Sequence, residues 1–209
     1  MNDPVQQAAD TALRGEVVVL PTDTVYGVGT RPDDPAATAR LFALKGRPED
    51  LELPVLVPSV GVARTIAAFD ERAFALAGRF WAGPLTLVLP RTVTSRGWEL
   101  GGDEETIGVR MPHHPLALAV LAQTGPLAVT SANRSGKPTP STCEGVLAVF
   151  GDRVAVYLCD TSPLVGAAST VIDLAHGDAR FLRLGALATD EVLSALDGMH
   201  GGFGRKSEV

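Results

Sequence analysis

The chain of 209 residues is 45% hydrophobic and 20% charged, ordinary for a globular protein and enough for one domain with a sizeable core. Its formal net charge of −6 argues against a tight non-specific grip on nucleic acid, which needs a basic surface. Cys143 and Cys159 make neither a disulfide framework nor a zinc spacing; both are expected as buried or half-buried thiols, which suits a reducing compartment. The N-terminus is acidic, without the apolar region of a signal peptide, and no apolar run spans a bilayer. A cytoplasmic location is therefore expected.

The elements follow in order. Residues 4–14 alternate helix formers with polar groups and stop before Gly15. Val17 to Leu20 form a β-branched run that reads as a buried strand. It breaks at Pro21, and a polar loop is expected over residues 21–29. Asp34 and Pro35 start a helix in which Ala37, Leu41 and Leu44 share a face. A strand is expected over residues 54–57, and Ser59 and Asp70 cap two further helices. Leu85, Leu87 and Leu89 alternate with Thr86 and Val88, a strand at period 2. Residues 106–111 and 127–130 read as strands around a helix opened by Pro115. A helix ending at Phe150 precedes three close strands over residues 154–159, 169–174 and 180–184. A last helix starts at Thr189 or Asp190. The interleaving of strands and helices argues an α/β sheet, and the closely spaced last strands argue that it is mixed. One domain is expected over residues 1–197, with a flexible tail over 198–209.

Polar residues in such a sheet act where strands end. Thr22, Asp23 and Thr24 supply hydroxyls and a carboxylate just past a strand; a turn closed by its own side chains is the competing reading. Lys45 and Arg47 flank a glycine at a helix end. They either complement the helix dipole or clamp phosphate. Arg110 sits inside an apolar strand, where it must pair with a carboxylate or face a ligand. The adjacent His113 and His114 lack a carboxylate at metal-binding spacing. Residues 130–137 are dense in hydrogen-bonding groups but do not form a Walker A loop. Ser169, Thr170 and Arg183 are polar positions at late strands. Hydroxyls with Lys and Arg suit electrostatic handling of phosphates better than covalent or metal-centred hydrolysis.

Seven pieces in order resemble the YrdC-type threonylcarbamoyl-AMP synthases: PTDTVYGVG (21–29), KGRP (45–48), FWAGPLTLVL (80–89), TIGVRMPHHP (106–115), TSANRSGKPTPS (130–141), STVIDL (169–174) and FLRLGA (181–186). The resemblance implies a YrdC-like twisted mixed sheet flanked by helices, with a concave cleft. It implies condensation of L-threonine, bicarbonate and ATP to threonylcarbamoyl-adenylate and pyrophosphate. A separate transferase complex then modifies adenosine 37 of tRNA, with direct tRNA binding by the synthase weak or absent. By matched position, Thr24, Arg110, Val129 and Ser169 hold threonine. Arg47, Thr106, Ser131, Asn133, Thr139 and Arg183 contact ATP, and Lys45 and Arg47 carry the catalytic charge. Mg²⁺ arrives with ATP, and no other metal or tightly bound cofactor is implied. Longer members carry a C-terminal domain for which this chain is too short. The chain departs from the pattern at Leu53 and Pro58, which stand where a polar residue and a His are usual. Residues 47–54 form a slightly longer stretch, Ala82 replaces a Pro, and Asp160-Thr161-Ser162 replaces Asp-Gly-Gly. Two alternatives remain: a double-stranded RNA or ribosomal-precursor binding module of the same fold, and a carbamoyl transferase like the related hydrogenase-maturation domain.

Overall fold

The computed structural model describes residues 3–46, 48, 50–164 and 166–200. The order is α1 (Pro4–Leu13), β1 (Val18–Leu20), β2 (Gly27–Thr30), α2 (Pro35–Lys45), β3 (Val55–Leu56), α3 (Val60–Ile66) and α4 (Glu71–Phe80). There follow β4 (Leu85–Pro90), β5 (Thr106–Arg110), α5 (Pro115–Thr124), β6 (Leu127–Ser131) and α6 (Cys143–Phe150). A short 3₁₀ turn, β7 (Val156–Tyr157), β8 (Thr170–Asp173), β9 (Arg180–Arg183) and α7 (Thr189–His200) complete the chain. Most of the tail expected from residue 198 lies outside the described residues.

Local chemistry accounts for the helix starts. Asp34 accepts from the Ala36 and Ala37 amides, Ser59 from Val62, and Asp70 from Ala73, so the three expected caps are in place. Thr142 caps α6 in the same way. Gly46 ends α2 in the left-handed conformation at φ 58°, which a residue without Cβ adopts at little cost.

The strands form one mixed sheet in the order β7-β1-β2-β6-β3-β5-β4-β8-β9. Three pairs are parallel (β1 with β7, β3 with β5, β4 with β8) and the others antiparallel, three of these in succession from β1 to β3. The sequence reading missed β2. Residues 27–29 are expected as the end of a loop over 21–29; instead residues 27–30 turn back antiparallel to β1 and pair with β6 on their other side. Glycines at 27 and 29 hid the strand, since isolated glycine reads as a break. Their role is packing: a Cβ on Gly27 would meet Val129 Cγ1 at 2.5 Å, and one on Gly29 the Ala128 carbonyl at 2.5 Å.

The sheet separates two cores. On one face, Ala8, Ala9 and Ala12 of α1 and Ala117, Val120 and Leu121 of α5 pack on Val18, Leu20, Leu56, Leu127 and Val129. On the other, Leu41 of α2, Leu76 of α4 and Val146 of α6 pack on Val19, Val28, Val55, Leu85, Leu87 and Val109. The period-2 reading of β4 therefore holds: its leucines enter the second core, while Thr86 and Val88 face the opposite side. There α1 and α5 cover only part of the sheet. Beyond them the same face, reached through Leu56 and Val129, opens into a cleft.

The cysteines correct an expectation. Cys143 and Cys159 form a disulfide with their Cα atoms 5.5 Å apart. The sequence placed them on separate elements, and only the docking of the α6 N-terminus beside the end of β7 brings them within bridging range.

Candidate active site

The cleft encloses a cavity of about 330 Å³. Every strand from β2 to β9 that lies on its floor contributes at a strand end or through small side chains, including Gly27, Gly108, Thr86 and Ser131. Of the site residues read from the sequence, Thr24, Arg110, Val129, Ser131, Thr139, Ser169 and Arg183 line it together. They come from five separate stretches of chain, so their convergence is a tertiary result.

Arg110 resolves two readings at once: it pairs with a carboxylate and it faces the cleft. It is 6% exposed. Its Nη2 donates to Asp23 Oδ1 at 2.5 Å, its Nη1 to Thr24 Oγ1 at 2.9 Å and its Nε to the Gly83 carbonyl at 3.0 Å. A guanidinium has five N–H groups, so one on each Nη remains beyond these three bonds, the pair a carboxylate takes in a fork. Burial lowers its pKa below the ordinary arginine value, and the Asp23 charge pulls back against that shift; arginine stays charged regardless. Asp23 is itself fixed by the His113 amide at 2.9 Å.

The loop before β2 is both a self-closed turn and part of the site. Thr22 Oγ1 accepts from the Thr24 and Val25 amides and lies 3.0 Å from Thr24 Oγ1. The turn so formed delivers the Thr24 hydroxyl to Arg110. Across the cleft, Arg183 donates through Nε to the Ser169 carbonyl at 2.9 Å and through Nη2 to Ser169 Oγ at 2.8 Å. Ser169 Oγ also lies 2.9 Å from Thr86 Oγ1. Among the described residues no carboxylate pairs with Arg183, and burial lowers its pKa. A solvent-accessible cation held by neutral acceptors at a cavity wall is suited to an anionic ligand.

Three expected residues stand off the cavity. Asn133 and Lys45 lie behind Ser131: Lys45 Nζ donates to the Ser131 carbonyl and, at 2.9 Å, to Asn133 Oδ1. Asn133 Oδ1 also accepts from Ser131 Oγ, while Nδ2 donates to the Arg134 and Lys137 carbonyls. The pair thus shapes the loop that carries Ser131. Thr106 is buried at the far end of β5, its carbonyl accepting from Arg91 Nε. Arg47 lies outside the described residues.

Sequence reading missed Thr86, whose signal was a hydroxyl on the cleft side of an alternating strand, and Asp23 as the partner of Arg110. It also missed Glu52, which lines the cavity. Leu53 is fully buried with its amide on the Leu100 carbonyl, so it offers the cleft no polar group. His113 and His114 do not converge. The His113 amide serves Asp23, and His114 Nε2 lies 2.9 Å from Asp160 Oδ2. The Asp160 amide donates to Tyr26 Oη at 3.0 Å, tying the loop after β7 to the end of the threonine-rich turn. Among the described residues no group of three or more His, Cys, Asp or Glu side chains could hold a metal ion, and no helix is long and apolar enough to cross a membrane.

Fold and site together define a mixed-sheet α/β protein whose cleft is lined by two arginines, Arg110 and Arg183. The family model Sua5/YciO/YrdC, described as telomere recombination, matches residues 10–185, and the chain belongs to that family. It is 40% identical over 193 residues to a Mycobacterium tuberculosis protein provisionally named a threonylcarbamoyl-AMP synthase, covering 92% of this chain and 88% of the relative. The threonylcarbamoyl-AMP synthase of Bacillus subtilis is 35% identical over 202 residues, covering 95% of this chain and 58% of that one. The crystal structure of Pyrococcus abyssi Sua5 complexed with L-threonine superposes with a TM-score of 0.84 at 33% identity, covering 97% of this chain and 62% of that chain. The chain thus spans most of the mycobacterial relative but about three fifths of the other two.

Proposed function

We propose that the protein is an L-threonylcarbamoyladenylate synthase, a nucleotidyltransferase joining L-threonine, bicarbonate and ATP with release of pyrophosphate. One observation carries the reading: Arg110 and Arg183 line a single cavity, each held by protein groups in a way that suits an anion. Arg110, with Thr24, takes the threonine carboxylate, and Val129 and Ser169 border that pocket. Arg183, Ser131 and Thr139 take the nucleotide, Arg47 contacts the triphosphate, and Lys45 holds the Ser131–Asn133 loop while adding positive charge. Thr106, set away from the cavity, acts through the position of β5.

The chemistry follows from this arrangement. The threonine amine captures carbon dioxide from bicarbonate as a carbamate. The carbamate oxygen attacks the α-phosphorus and the bond to pyrophosphate breaks. Charge develops on phosphate oxygens, so cations placed around them lower the barrier more than a general base would. Mg²⁺ enters with ATP and neutralises the leaving pyrophosphate. The product passes to a tRNA threonylcarbamoyl transferase complex, and the synthase works in the cytoplasm. A disulfide is rare in that compartment, so thiol labelling in intact cells tests the location together with the redox state of Cys143.

The reading is tested by threonine-dependent pyrophosphate release from Mg-ATP with bicarbonate. Turnover that requires all three substrates supports it, and Arg47→Ala is expected to lose most of it. No release, under conditions where a Bacillus subtilis relative is active, overturns it.

A further inference from the structure

We infer that Glu52 binds the ribose hydroxyls of the nucleotide and makes the cleft selective for ribonucleotides; this rests on the synthase reading for the identity of the nucleotide. Among the described residues lining the cavity, Glu52 is the one carboxylate, whereas Arg110 and Arg183 are cations. Its Oε1 accepts the Gly108 amide at 3.2 Å, which fixes where the carboxylate sits. Gly108 precedes Arg110 by two residues on the same face of β5, about 7 Å along the strand. The carboxylate therefore stands toward the start of β5 relative to Arg110, across from Val88, which is in register with Gly108.

The chemistry of a carboxylate narrows its ligand. It accepts hydrogen bonds and donates none, and it repels phosphate. The triphosphate thus keeps to the Arg183 side, across β5, β4 and β8, and the Glu52 end takes an uncharged, donor-bearing part of the ligand. Vicinal ribose hydroxyls fit that description, as they do where an acidic residue holds a ribose in dinucleotide-binding folds. Gly108 keeps the floor low at this point: a Cβ there would approach Thr86 and Pro54 only to 3.5 and 3.7 Å, so the missing side chain leaves room without being needed to avoid a clash. Val88, Val171 and Leu182 provide the apolar wall for the base next to it.

The test is titration calorimetry of Mg-ATP, 2′-deoxy-ATP and 3′-deoxy-ATP against the whole protein and its Glu52→Gln and Glu52→Ala variants, which needs no turnover. The unaltered protein is expected to bind ATP about tenfold tighter than at least one deoxy analogue. Glu52→Ala brings ATP down to the affinity of that analogue and leaves the analogue itself unchanged. Glu52→Gln keeps an acceptor for the Gly108 amide, and so the fold, while losing most of the discrimination. An ATP-to-deoxy ratio that survives in both variants, or an equal loss for all three nucleotides, overturns the assignment. Nucleotide discrimination without threonine-dependent pyrophosphate release leaves Glu52 standing and removes the synthase reading. Synthesis with an unaltered ratio in the variants does the reverse, and absence of ATP binding removes both.

Discussion

Arg110 shows how much of the site depends on geometry that charge alone does not supply. Lysine would keep the positive charge but present a point donor in place of a fork, and its three N–H groups, spent on Asp23, Thr24 and the Gly83 carbonyl, would leave none for a ligand. Arg110→Lys is expected to raise the KM for threonine by roughly tenfold to a hundredfold, the value of a charge-assisted hydrogen bond, with the KM for ATP little changed. Steady-state kinetics with each substrate varied in turn reads this out, and equal changes in both constants would count against the assignment. Ser169 is different because it joins the two halves: its carbonyl and hydroxyl hold Arg183 while the hydroxyl meets Thr86. Ser169→Ala should therefore raise both KM values together.

Among the elements, the hairpin of β1 and β2 is the least forgiving. A methyl group on Gly29 would approach the Ala128 carbonyl to 2.5 Å, and backbone cannot step aside as a side chain can. Gly29→Ala is expected to destabilise the fold by about 1–3 kcal/mol, measurable as a lower denaturation midpoint. The Cys143–Cys159 bridge joins the start of α6 to the strand end that leads into the Asp160 loop, over a separation of 16 residues. A loop of that length corresponds to about 3 kcal/mol of stabilisation, so a thiol reductant should lower Tm by several degrees; an unchanged Tm would show that the link carries no stability. At the sheet's other end, Asp173 is buried and bonded to Arg180 and His176. Burial works to raise the Asp173 pKa, but Arg180, the Ala175 amide and His176 outweigh it and hold it low. The same contact raises the pKa of His176 above its ordinary 6.5. A group whose pKa is raised by folding stabilises the fold below its unfolded value and loses that contribution as pH rises through the folded one. The stability gap between the unaltered protein and His176→Ala should thus be widest near about pH 5 and close toward about pH 8 or above. Asp173 is charged throughout that window, so it does not mask the trend.

At the scale of the whole molecule, net charge and cleft shape point the same way. A total of −6 gives phosphate backbones little to hold, so no stable complex with tRNA is expected in a gel shift at about 0.15 M salt. Micromolar binding that weakens steeply with salt would instead favour an RNA-binding role for the fold. The substrates of the proposed reaction are small and carry anionic groups, and the cleft meets them with Arg110 and Arg183 on its lining while the chain as a whole is acidic.

Much of this was legible in the amino-acid order. Caps at Asp34, Ser59 and Asp70, the alternation in β4, and the apolar runs of β1, β5 and β6 are local signals, and the structure places each where chain periodicity puts it. The polar residues at strand ends were also readable, because in an α/β sheet a hydroxyl or cation past a buried strand has few structural reasons to be there. Tertiary structure decided the rest. It made residues 27–30 a strand, since only the neighbour β6 explains two glycines in a paired segment. It bridged two cysteines from separate elements, gave Arg110 its Asp23 partner from 87 residues away, set Lys45 and Asn133 behind the cavity wall, and turned Glu52 toward the cleft. Each of these depends on which strands become neighbours, and that choice is made by the burial of both sheet faces at once. Short-range periodicity carries the pattern of a single element; it carries no record of the element packed beside it.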